Sequence, residues 1–209
     1  MLRLSRLFVP GALAALVLLA APAGAAQDGW PALHDVVGVP EGDVLNLRAG
    51  PGAGYRVVGA LERGRRGVEV IAPDGSAGWG LVNHGEGTAW ASLAYLERLP
   101  GQWAGAFPPL ARCVGTEPFW SLDVEGDAVR LATPEDMAGM TGWLAGRWGS
   151  ADRRDRHAMR LMWADGATGF GVLRAERCSD GMSDRAYGLS LDVVTGRGGL
   201  LSGCCTLER

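Results

Sequence analysis

Two of the four cysteines are neighbours, Cys204-Cys205, and that pair constrains the chain more than any other feature. On an extended strand adjacent side chains point to opposite faces, so these thiols are poorly placed to bond to each other and each needs its own partner. The partners available are Cys113 and Cys178. One C-terminal strand is therefore expected to be cross-linked on both faces. Cys178 also opens a run of small, polar and acidic residues, Cys178-Ser179-Asp180-Gly181-Met182-Ser183-Asp184-Arg185-Ala186-Tyr187, which reads as a loop pinned at one end. The residues alone leave open which cysteine takes which partner.

Two disulfides imply an oxidising compartment, and the start of the chain agrees. Arg3 and Arg6 precede an apolar run over 7–21, and Ala23-Gly24-Ala25 follows as a small-residue cleavage site. This layout predicts a signal peptide over 1–25, cleaved after Ala25, and a periplasmic or secreted mature chain with no transmembrane segment. Removing Arg3 and Arg6 takes the formal charge from −3 to −5, which argues against a nucleic-acid partner.

The remaining chain is mostly β. Short alternating segments are punctuated by 33 glycines, and the length allows two small domains. In the first, over 33–99, alternation marks strands near 44–48, 57–61, 68–72, 79–82 and 88–91, with Tyr95-Leu96 closing the unit. Pro51-Gly52 predicts a type II turn, and Asp74-Gly75 a hairpin. Five short strands with one apolar face predict a small barrel.

The run Leu45-Asn46-Leu47-Arg48-Ala49-Gly50-Pro51-Gly52, the later Gly78-Trp79-Gly80-Leu81-Val82 and Ala89-Trp90-Ala91 resemble the bacterial SH3 (SH3b) domain. The resemblance implies an SH3-like barrel that binds a cell-wall peptide, peptidoglycan or another envelope protein without chemistry. Its candidate ligand-binding residues here are Asn46, Arg48, Tyr55, Trp79 and Trp90, polar or aromatic groups suited to peptides and sugars. Trp79 and Trp90 serve equally well as barrel core, and Arg48 as a turn cap.

Residues 100–110 read as a Pro/Gly-rich linker, in which Trp103 and Phe107 need cover from a neighbouring domain. Over 111–209, about seven strands predict a second antiparallel barrel or strongly curved sheet stapled by disulfides. Residues 135–140 read as a helical turn or loop, and 152–157 as a charged loop.

Gly115-Thr116-Glu117-Pro118-Phe119-Trp120, the Cys178–Tyr187 run and Gly203-Cys204 resemble a family of bacterial envelope proteins and lipoproteins, whose shared pattern is GxEPFW, then C-x-D-x-MS, then GC. The resemblance implies a shared bridge Cys178–Cys204 and an added bridge Cys113–Cys205, loss of the added one costing less. Glu117, Trp120, Asp180, Ser183 and Asp184 are the candidate site of this domain, as a ligand-facing motif or as loop-fixing groups. The spacing of Asp180, Ser183 and Asp184 is not that of a calcium loop. His34, His84 and His157 belong to no motif, and no catalytic signature is present. The sequence thus predicts no enzyme, metal or cofactor. A small-ligand or inhibitor role for the second barrel is the alternative to wall binding, and wall hydrolysis a weaker one.

Overall fold

The computed structural model describes residues 28–207; the signal peptide expected at 1–25 lies outside the described residues. The chain is mostly β throughout. Strands β1 (Ala32–Val36), β2 (Val44–Arg48), β3 (Val57–Glu62), β4 (Val68–Val70), β5 (Ala72–Pro73), β6 (Trp79–His84), β7 (Gly87–Ser92) and β8 (Leu96–Arg98) make two sheets, ordered β3-β2-β7-β6-β5 and β4-β1-β8. The chain passes from one sheet to the other at Ile71, whose N–H still donates to Leu81 O at 2.8 Å. Leu45, Leu47, Val68, Val70, Val82, Ala89 and Ala91 fill the space between the sheets.

Strand β1 is absent from the sequence reading, which also took β4 and β5 as one strand and the start of β8 only as a closing segment. The inward positions of β1 are Ala32, His34 and Val36, so a histidine occupies a core position and hides the alternation. His34 stacks on Trp30 at 5.6 Å, and burial lowers its pKa. The turn at Pro51-Gly52 also differs from expectation. Gly52 does not have the positive φ that a type II turn requires, and its N–H donates to Gly50 O at 3.0 Å. The Tyr55 ring lies directly on Gly50, where a Cβ would collide with it.

The linker is fastened rather than loose. The Gln102 amide donates to Leu33 O and Leu99 O, each at 2.9 Å, and accepts from Leu33 N at 2.7 Å. Phe107 packs on the second core and meets His157 edge-on at 5.6 Å. Trp103, which was expected to need cover, is 55% exposed.

The second domain is a closed barrel of eight strands, one more than anticipated. They are β9 (Arg112–Thr116), β10 (Phe119–Glu125), β11 (Ala128–Ala132), β12 (Met140–Gly149), β13 (Arg156–Trp163), β14 (Thr168–Cys178), β15 (Tyr187–Val194) and β16 (Leu200–Thr206). The added strand is β9, which closes the cylinder by pairing with both β10 and β16. Closure leaves no edge exposed. Residues 133–139 form turns without a helix, and His157 lies within β13, buried, rather than in a charged loop.

Inward side chains fill the interior: Trp120, Leu122, Leu144, Met159, Leu161, Trp163, Leu173, Leu189 and Leu191 belong to one buried cluster. Any ligand of this domain must therefore bind outside the lumen. Cys113 is bonded to Cys205 within that cluster, and Cys178 to Cys204. The register of β14 on β15 slips between Ala175 and Cys178. That bulge brings Cys178 to Cys204, two strands away.

Candidate functional site

Two regions carry the residues singled out by the sequence. On β2 the core takes Leu45 and Leu47, which turns Asn46 and Arg48 outward. On β6 the core takes Gly80 and Val82, which turns Trp79 outward. A groove of about 330 Å³ opens there, lined by Asn46, Arg48 and Trp79 together with Asp43, Ser92 and Tyr95. It offers two aromatic faces, an amide, a cation and an anion, a set that suits a short charged peptide. Arg48 is held by donating from Nη1 to Tyr55 O at 2.8 Å, which also fixes the 49–56 loop.

The other two candidates of this domain stand apart from the groove lining. Trp90 is half-buried on the same outward face, paired with Arg48 on one side and Leu81 on the other. Tyr55 is 52% exposed on its glycine shelf. Neither tryptophan is a core residue. Tyr95 was missed as a binding residue because it sits in the 3-10 turn Leu93–Tyr95, where no strand alternation marks it as outward.

In the second region the motif residues mostly hold the loop itself. The Asp180 carboxylate accepts from Met182 N and Ser183 N, each at 3.0 Å, from Ser183 Oγ at 2.8 Å and from Tyr187 Oη at 3.1 Å. Partial burial opposes its ionisation, but these donors outweigh that and hold its pKa down at about 2. Thr116 Oγ1 ties the loop to β9 by donating to Asp180 O at 3.0 Å.

Trp120 is core; its Nε1–H donates to Ser202 O at 3.3 Å, and it packs where Gly115 and Gly203 leave room for the ring. Glu117 and Asp184 are exposed. Glu117 and Asp180 share a shallow polar groove of about 710 Å³ with Arg174, Glu176 and Asp192, on the outer wall of the barrel. Ser202 donates to Asp192, and Ser190 to Glu176, each at 2.6 Å, while Arg174 pairs with Asp192 at 2.6 Å. The polar side chains of this groove largely satisfy one another.

The pinned loop has a further contact that no local signal announced. Asn83 of β6 donates to Ala186 O at 2.9 Å and accepts from Ala186 N at 3.0 Å. Arg185 Nη1 donates to Gly85 O at 3.1 Å. Glu69 of β4 accepts from Leu207 N at 3.1 Å and from Thr206 Oγ1. The first domain is thus docked on the loop and on the end of β16.

The comparison with known families bears on the first of the two regions. Residues 43–97 match the bacterial SH3 domain family. The match runs from Asp43, at the groove, to Glu97 in β8, and so contains the groove residues Asn46, Arg48, Trp79 and Tyr95. Strand β1, which completes the three-stranded sheet of this SH3 domain, lies outside the matched stretch. No curated protein and no solved structure matches the chain.

Proposed function

We propose that the chain is an exported, non-catalytic binding protein whose bacterial SH3 domain holds a peptide of the cell wall, with peptidoglycan as the source of that peptide. The groove on β2 and β6 carries the reading: aromatic, cationic, anionic and amide groups converge there within the stretch that matches the family. Wall stem peptides are short and carry both amino and carboxylate groups. Arg48 and Asp43 offer the opposite charges, while Trp79 and Tyr95 provide rigid apolar faces at low entropic cost. Export is supported by two disulfides and by the lack of a free cysteine among the described residues.

The test is co-sedimentation of the purified protein with murein sacculi. The wild-type chain should pellet with sacculi, and Trp79→Ala combined with Arg48→Glu should weaken retention about tenfold or more. Equal retention of wild type and double variant, or no retention of either, would overturn the assignment. Zymography on the same sacculi should show no clearing. A clear zone would replace the binding role with hydrolysis.

A further inference from the structure

The outer wall of the second barrel has two unlike halves. Over β9–β11 it is charged, with Arg112 and Arg130 flanking Asp123 at 3.5 and 2.7 Å. On β12–β16 it carries an apolar strip beside the polar groove of Arg174, Glu176 and Asp192. The strand register places Arg160, Phe170, Val194 and Leu200 in one row across four strands, and Trp148, Ala158 and Val172 in the next row, which then turns polar at Asp192 and Ser202. Buried residues alternate with these along β13, β14 and β15, so all of them face outward. Phe170 is 57% exposed, Leu200 61% and Trp148 48%. A contiguous exposed patch of this kind marks an interaction surface.

One charge sits inside the patch. The Arg160 guanidinium lies 6.0 Å from the Trp148 ring, and the indole itself rests over Gly146, in the row of Arg160. Arg160 Nη2 donates to Ala145 O at 3.4 Å, while Nε is buried with no hydrogen-bond partner. Among the described residues no carboxylate lies within ion-pair distance of it. The arginines around the patch are matched: Arg147 with Asp127, Arg153 and Arg156 with Asp155, Arg174 with Asp192, and Arg197 with Asp165.

We propose that this face docks an apolar segment of a partner protein that brings one carboxylate, seated on Arg160 between Trp148 and Phe170. The charge pattern selects this occupant. A second copy of the chain would bring the same face and a second Arg160, placing like charges together with no carboxylate to offset them. An anionic bilayer is drawn by several free cations acting together, and here one arginine is free while its neighbours are neutralised. A protein segment with aromatic or aliphatic side chains and one Asp or Glu satisfies both the apolar rows and the unmatched guanidinium. The inference stands on the second barrel alone and is independent of wall binding by the SH3 domain.

The probe is a random-peptide phage library panned on the full chain, with counter-selection on Arg160→Glu and, separately, on Phe170→Ser and Leu200→Ser. Near-UV circular dichroism confirms that each variant keeps its fold, and Phe170 and Leu200 lie on different strands so that one misfolded variant does not decide the outcome. Selected peptides should carry apolar residues around an Asp or Glu. They should bind each folded variant about tenfold or more weakly than wild type, and replacing their acidic residue by Lys should restore binding to Arg160→Glu. Peptides that fail to distinguish wild type from the variants would overturn the proposal. So would dimerisation by sedimentation velocity that Phe170→Ser abolishes, or co-sedimentation with phosphatidylglycerol vesicles that Phe170→Ser abolishes.

Discussion

Replacing Cys113 and Cys205 together by alanine will destabilise the chain more than replacing Cys178 and Cys204, the reverse of the order implied by family resemblance. The bridged residues are separated by 92 and 26 positions respectively. In the chain-entropy description such loops contribute about 4.7 and about 3.6 kcal/mol. The two bridges are nested and so not independent. With Cys178–Cys204 closed, the unfolded chain connects Cys113 to Cys205 through 113–178 and the single step from 204 to 205. That path of roughly 66 residues lowers the longer bridge's share only to about 4.4 kcal/mol. The shorter loop receives the same discount of about 0.3 kcal/mol, because the total for both bridges cannot depend on the order of closing, and its share falls to about 3.3 kcal/mol. Burial widens the difference. Cys113 and Cys205 are fully buried in the barrel core, whereas Cys178 is only partly buried. Each sulfur lost from the core leaves a hole costing about 1 kcal/mol. The expected gap between the two double variants is therefore about 2 kcal/mol. Double alanine variants avoid leaving an orphan thiol that could exchange. Urea unfolding without reductant, followed by the fluorescence of the buried Trp120 and Trp163, gives the two stabilities on one scale. Equal costs, or a larger cost for the Cys178 and Cys204 variant, would refute the reasoning.

The Asp180 carboxyl falls from 3.8 in the unfolded chain to about 2 in the fold, so its ionised form contributes stability above about pH 4 that is lost as pH falls toward 2. Asp180→Asn should lower the urea midpoint at neutral pH, and its deficit relative to wild type should shrink across that acid window; a deficit that does not change with pH would contradict the assignment. A methyl group at Gly203 would collide with the Val114 carbonyl and the Trp120 ring. Gly203→Ala should cost about 2–3 kcal/mol in a thermal melt, while Gly54→Ala, in open space at an ordinary φ, should stay within about 0.5 kcal/mol of wild type.

The elements read correctly from sequence are those whose signal is local. Each hairpin at Asp74-Gly75, at Glu125-Gly126-Asp127 and at Asp165-Gly166 has its turn residues between two runs of alternating polarity, and each forms. Asp74 shows why such turns are legible. Its carboxylate accepts from Ser76, Gly78 and Trp79 within the turn itself, and the Ser76 hydroxyl leads the donors that lower its pKa. Strands β1 and β9 escaped because their inward positions do not look apolar. His34 takes a core place in β1, and in β9 the inward residues are Cys113 and Gly115, the glycine being small because Trp120 lies against it. The same division runs through the site. Asn46 and Arg48 were legible as outward positions of an alternating strand, whereas Trp79 read equally well as core and Tyr95 joins them from a 3-10 turn with no period to read.

The junction between the domains is the extreme case, since Asn83 and Ala186 are 103 residues apart. The loop that makes it was visible as a polar turn with a cysteine at its head, but its purpose was not. The disulfide fixes where the loop leaves β14, and Asp180 fixes its bend through four donors. Arg185 and Ala186 then arrive at the SH3 domain with their backbone already placed. Residues that read as a ligand motif therefore act on the chain itself, by holding the bend of the loop that docks on the first domain. A polar cluster whose acceptors are consumed by its own backbone has little left for a ligand, which is why the candidate site falls on β2 and β6, where the Asn46 side chain and the remaining Arg48 donors still face solvent.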